Sequence, residues 1–263
     1  MSQLGLLVCL LMAGACAAAQ SITPPSDCPA PEIVLDRYVV AVGGQAAVDR
    51  LRTLAIEAHE SEPHTFNPQS IAHTHYWFKW KSPNQVAMRS HYLLSPATFR
   101  FDGAAWSNFD GRLSHNENGT PASRLKLRAD YLYNDDPQFV MLRLVANPIL
   151  LATARNLYRS FDPLPGPPGT CTLQATGPNQ WGGEQRDILT FDAKNGFLKT
   201  WAMQAGLPWD VMIYIHFQFD DYRQSGDVKI PYSIYFDFYK ATFQLTKAVP
   251  NAAVSDVDFI PKH

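Results

Sequence analysis

Residues 211–222, VMIYIHFQFDDY, and residues 229–240, KIPYSIYFDFYK, decide how this chain folds. In the first stretch Val211, Ile213, Ile215, Phe217 and Phe219 alternate with Met212, Tyr214, His216, Gln218 and Asp220, the period of a strand with one oily side. Ser225-Gly226-Asp227 supplies a tight turn, and the pattern restarts with Ile230, Tyr232, Ile234, Phe236 and Phe238 on one face. Two neighbouring strands therefore present a continuous surface of Ile and Phe side chains. Such a surface is covered by helices, closed on itself, or kept as a hollow for an apolar guest.

The composition suits that problem. With 263 residues, 46% hydrophobic and 17% charged, and a net charge of −2, the chain can bury one large core. Its charge balance argues against nucleic acid and against an anionic membrane surface as partners. Residues 1–19, MSQLGLLVCLLMAGACAAA, read as an export signal cleaved after Ala19, although no Lys or Arg precedes the apolar run. That run is too short and alanine-rich for a membrane span, so no transmembrane segment is expected in the mature chain. Acylation at Cys16, after Gly14-Ala15, is the less favoured alternative because Ala13 stands where a lipobox usually has Leu. The mature protein is expected in the periplasm or outside the cell. Cleavage leaves Cys28 and Cys171, which are open to two readings, a disulfide or two small buried residues.

Residues 20–31 are rich in Ser, Thr and Pro and are expected to be a poorly ordered linker, with 32–263 forming one domain. A helical pattern runs from Glu32 to a glycine stop at Gly43-Gly44, and a shorter one follows from Gln45. The period then switches to strands at 53–62, 71–81 and 85–94, with Asp102-Gly103 and Asp110-Gly111 punctuating shorter ones. Residues 121–161 break the rhythm with leucine-rich helical sequence in which Pro137 and Pro148 mark helix starts. Strands resume at 170–175, 185–191 and 197–204. The expected class is α+β, an incomplete, half-open antiparallel β-barrel of about ten or eleven strands with an N-terminal helix and a helical lid inserted mid-chain.

Several blocks, in this order, carry a family likeness: YVVAVGGQAAVDRLRTL, YWFKWKSPNQVAMR, FRFDGAAW, LTFDAKNGFLKTW, FDDYRQSGDVKIPYSIYF and VDFIP. Together they resemble the outer-membrane lipoprotein-sorting (LolA/LolB-like) periplasmic carriers, in a divergent branch. The resemblance implies an incomplete barrel whose concave apolar face is lidded by helices and receives acyl chains. It implies lipid or lipoprotein acyl chains as cargo, and an envelope protein as donor or acceptor. The family's lid-bonding arginine matches no single position here, so that role is not carried over.

Residues suited to an acyl-chain cavity are Trp80, Met88, Phe99, Ile213, Ile215, Phe217, Phe219, Ile234, Phe236 and Phe238, with Leu142, Val145 and Leu150 in the lid. An acyl site needs many dispersive contacts and no unpaired polar atoms. The same residues would equally serve a dry core under the helices, and both readings stand at this point. His73 and His75 lie two apart on a strand, with His59, His64 and His91 as further imidazoles, but their strand face is the one expected to meet water. No metal site and no cofactor is therefore expected. Asp220, Asp221, Tyr222 and Arg223 read as an ion pair beside the Gly226 turn rather than as acid/base machinery. Ser90-His91 and Ser114-His115 lack a nucleophile elbow, so no catalytic set is assigned. The rival to a carrier is an envelope structural or interaction module using outward-facing Trp77, Tyr235 and Tyr239.

Overall fold

The structure is a computed structural model that describes residues 28–64, 67–83, 85–92, 95–101, 106–107, 137–178, 183–207 and 211–260. Residues 1–27, which hold the expected signal and most of the expected linker, lie outside the described residues, as does the first part of the helical insertion. Of the residues expected in that linker, 28–31 are described. Cys28 is tied by a disulfide to Cys171, with Cα atoms 5.5 Å apart, and helix α1 begins at Pro31.

Helix α1 (Pro31–Ala41) starts on a proline, whose missing N–H is no loss in a first turn, and buries Val34, Leu35, Tyr38 and Val39. It ends where Gly43 and Gly44 take φ of 129° and 84°. A Cβ on Gly43 would stand 2.4 Å from the Asp227 carbonyl oxygen, so only glycine lets the helix end dock there. The Lys229 N–H donates to the Val42 carbonyl at 2.9 Å across this junction. A short helix α2 (Gln45–Arg50) leads into the sheet.

Among the described residues twelve strands follow: β1 (Thr53–His64), β2 (Asn67–Lys81), β3 (Gln85–Tyr92), β4 (Ser95–Phe101), β5 (Trp106–Ser107), β6 (Ser160–Leu164), β7 (Thr170–Pro178), β8 (Glu184–Asp192), β9 (Leu198–Leu207), β10 (Val211–Ser225), β11 (Val228–Phe236) and β12 (Ala241–Pro250). Helices α3 (Pro137–Ala146) and α4 (Leu150–Ala154), with a 3-10 turn at Arg155–Leu157, lie between β5 and β6. All strands join one sheet in the order β5-β4-β3-β2-β1-β12-β11-β10-β9-β8-β7-β6. Each strand neighbours its successor in sequence, except that β12 turns back to pair with β1 and that β5 and β6 are the two edges. The sheet is an unclosed antiparallel meander, an incomplete barrel, and its two edges are the ends of the helical insertion.

Three details differ from the sequence expectation. Strand β12 had no expected counterpart, yet it is the joint between the two halves. Strand β6 occupies residues expected to be helix and loop; its Pro163 is tolerable because an edge strand has no partner on its outer side. The helix expected from Pro148 starts two residues later, at Leu150.

Candidate functional site

Register arranges the inner face into rows. Leu173, Leu189, Trp201, Phe217, Phe236 and Ala241 stand opposite one another in succession from β7 to β12, all buried. Phe219, Ile234, Phe243, Glu60 and Thr74 form a second row continuing through β1 into β2. Ile56, Phe78 and Met88 form a third, in which the backbone sets Phe99 opposite Met88. Stacked rings at 4.8 Å between Phe217 and Phe236, and edge contacts from Phe243 to Tyr76 and Phe78, make the rows one aromatic surface.

The structure thus brings Trp80, Met88, Ile215, Phe217, Phe219, Ile234 and Phe236 together on one buried face, with Ile213 partly buried beside them. The side chains of Phe99 and Leu142 lie outside the described residues. Phe238 does not join the face. Strand β11 ends at Phe236, residues 237–240 form a turn, and Phe238 is 43% exposed. The physical cause is Asp237, whose carboxylate accepts from the His216 N–H and whose own N–H donates to the His216 carbonyl, both at 3.0 Å. That pair of bonds turns the chain before the alternation runs out.

Helix α3 packs on β1, β2 and β3, and α4 approaches α2. Val145 and Leu150 are buried with Met141, Leu144, Ile149 and Leu151, so the helices cover the inner face with their own apolar side chains. Two polar groups are buried along with them. Arg143 of α3 is buried, which lowers its guanidinium to about 10 by desolvation and leaves it charged at neutral pH. Asn147, at the junction of α3 and α4, is fully buried, and neither side-chain atom makes a hydrogen bond. The Tyr38 hydroxyl of α1 is buried in the same condition. Orphan groups of this kind are uncommon in a settled core and cost free energy in the closed arrangement.

A buried acid on the sheet was not singled out from sequence. Asp187 of β8 is fully buried, and its Oδ2 accepts from the Tyr158 hydroxyl and from Trp201 Nε1 at 3.0 Å. Its Oδ1 accepts from Gln185 Nε2 at 2.8 Å and the Gln204 N–H at 3.1 Å. Desolvation raises its pKa, and these four donors act against that rise. Tyr158 follows the 3-10 turn, so the acid holds the end of the helical insertion to the sheet. The signal was present in the sequence, where Asp187 precedes Leu189 and Phe191 at the spacing of one strand face.

The remaining candidates fall as follows. Arg223 Nε donates to Asp221 Oδ1 at 3.0 Å, and the guanidinium sits 4.7 Å from the Tyr232 ring, an ion pair in a stacked setting. Ser90 is buried on the inner side of β3, and the backbone sets His91 opposite His75 in register; the His91 side chain lies outside the described residues. Ser114 and His115 lie outside the described residues. Among the described residues no group of three His, Cys, Asp or Glu side chains is assembled for a metal, and no helix is long and apolar enough to cross a membrane.

No protein-family model matches the chain, and no curated protein matches it. Among solved structures it is similar to a LolA superfamily protein from Nitrosomonas europaea, with a TM-score of 0.53 at 10% identity over 87% of this chain and 96% of that one. A domain assigned to outer-membrane lipoprotein sorting in Vibrio parahaemolyticus gives a TM-score of 0.43 at 7% identity, over 86% and 94% of the two chains. The likeness to the Nitrosomonas europaea protein is one of fold. The chain has the LolA-type fold.

Proposed function

We propose that the protein is an exported, non-enzymatic carrier that shields acyl chains, of a lipoprotein or another amphiphile, against the inner face of its half-barrel. The observation that supports this reading most is topological. Helices α3 and α4 belong to the segment joining β5 and β6, the two edges of the sheet among the described residues, so swinging them away breaks none of the described strand pairings. The row of Ile56, Phe78 and Met88 on the strands that α3 packs against, part of one buried cluster with Phe217, Ile234 and Phe236, offers apolar area at roughly 25 cal/mol per Å² to whatever replaces the helix. The orphaned Asn147 side chain, at the junction of α3 and α4, adds a cost to the closed state that an opened or loaded state relieves. The disulfide suits an oxidising compartment, the periplasm or the outside of the cell.

Delipidated protein titrated with a fluorescent fatty acid should show saturable binding. Ile234→Trp, which adds bulk at the centre of the rows, should weaken it at least tenfold while circular dichroism shows the sheet intact. Absence of saturable binding by the wild-type chain would refute the carrier reading. A second reading, an envelope interaction module, is favoured by one observation. Phe238 and Tyr239 form an exposed edge-to-face pair at 5.1 Å on the β11–β12 turn, a surface that a partner protein could cover.

A further inference from the structure

Helix α1 is apolar on two sides, and the core uses only one of them. Val34, Leu35, Tyr38 and Val39 are buried, whereas Ile33 and Val40 are 48% and 72% exposed. Ile33, Arg37 and Val40 follow one another at steps of four and three residues, so they form a single outward stripe. A helix packed on one side alone carries polar residues on the other. Here the stripe is one wall of a groove of about 430 Å³, and the turn between β8 and β9 is the facing wall. That size lies within the range of roughly 300–1,000 Å³ that ligand pockets occupy.

Both walls are fixed before any partner arrives. Gly196 takes φ of 77°, and a Cβ on it would stand 2.9 Å from the Arg37 carbonyl oxygen, so the turn sits directly against the α1 backbone. The Asp192 carboxylate accepts from the N–H groups of Lys194 at 2.9 Å and Asn195 at 3.1 Å, and the Asn195 side chain accepts from the Phe197 N–H at 3.0 Å. The Cys28–Cys171 bridge anchors the chain just before the helix. A groove set in advance loses little freedom on binding. Its charge is one-sided. Arg37 and Lys194 line it and join no ion pair among the described residues. The one acid among its lining residues, Asp36, is neutralised by Arg155, whose guanidinium donates to Oδ1 at 2.8 Å.

We propose that this groove docks a short acidic segment of a partner protein, with an apolar side chain of the partner against Ile33 and Val40 and its carboxylates at Arg37 and Lys194. A guanidinium takes a carboxylate through two parallel hydrogen bonds, and the lysine adds a second positive point beside it. An inorganic anion would leave the Ile33–Val40 stripe in water, and an uncharged apolar segment would leave both cations unmatched. The groove lies on the side of α1 turned away from the core, so it stands whether or not acyl chains bind.

Fluorescence anisotropy with a labelled, end-capped hexapeptide of alternating aspartate and leucine should show saturable binding that weakens as sodium chloride rises from about 50 to 300 mM. The same peptide with lysine in place of aspartate should not bind. Arg37→Glu and Lys194→Glu should each weaken binding about fivefold or more, and Val40→Ser should weaken it too. All three substitutions are on exposed side chains, so circular dichroism and fatty-acid titration should match the wild type. Lys247→Glu, on β12 and outside the groove, should bind the peptide as the wild type does. No saturable binding of the acidic peptide, equal binding of the lysine peptide, wild-type affinity in both Arg37→Glu and Lys194→Glu, or an equal loss in Lys247→Glu overturns the proposal. So does flotation with phosphatidylglycerol vesicles that depends on Arg37 and Lys194 while the peptide fails to bind, which would make the groove a lipid contact.

Discussion

Asp187 shows how one side chain can set both packing and pH response. Its four donors come from β8, β9 and the end of the helical insertion, so a single carboxylate knits three segments. Asp187→Asn keeps one acceptor oxygen and turns the other into a donor facing donors, which should cost about 2–3 kcal/mol. The sign of the pH dependence follows from the raised pKa. A carboxyl whose folded pKa lies above its unfolded value contributes stability that is fully present below the unfolded value and is lost as pH rises through the folded one. The wild type should therefore gain on Asp187→Asn as pH falls from 8 to 4. Melting temperatures of both proteins across that range check it; a gap that is constant, or narrows toward acid, counts against the assignment. The carboxylate's inward position was legible from the two-residue spacing to Leu189 and Phe191, but its donors were not. Trp201 and Gln204 come from the next strand, and Tyr158 arrives from a connection 29 residues away.

Among elements, the α3–α4 pair and the β11–β12 turn carry opposite lessons. Pro137 marks the start of α3 in the sequence, and its apolar residues meet the sheet as their helical spacing implies. The junction at Asn147 is different, because a fully buried amide without partners is a fault unless the element has a second arrangement. Asn147→Leu should stabilise the closed protein by about 1–2 kcal/mol, since an apolar side chain of similar size removes the unmet hydrogen bonds. The same change should slow amide exchange in α3 and α4 relative to β10 and β11, measured by hydrogen–deuterium exchange; a lower melting temperature would speak against a strained lid. At the β11–β12 turn the alternation of FDFYK continues in the sequence beyond Phe236, yet the backbone leaves the strand at Asp237. Periodicity reports which residues could share a face, and the cross-strand bonds of Asp237 to His216 decide where the strand stops.

At the scale of the whole molecule, the Cys28–Cys171 bridge spans 143 residues and ties the segment before α1 to β7. Closing so long a loop restricts the unfolded chain, and opening the bridge should cost about 2–5 kcal/mol. Urea unfolding with and without reductant measures this; coincident curves would show that the bridge does not constrain the unfolded state. The bridge, the β1–β12 pairing and the Gly43 docking are all contacts between distant parts of the chain, and together they hold the sheet in its unclosed form. The sequence by itself determined the strand faces around Phe217 and Ile234, the N-terminal helix with its glycine stop, and the helical break between two sets of strands. Those features are local, written in periods of two and 3.6 residues within a single element. Only the tertiary structure decided that β12 joins the halves, that β5 and β6 are left as edges beside the lid, and that Asp187 gathers donors from the next strand and from Tyr158. Register and edge choice depend on partners far away in sequence, where no local period can record them.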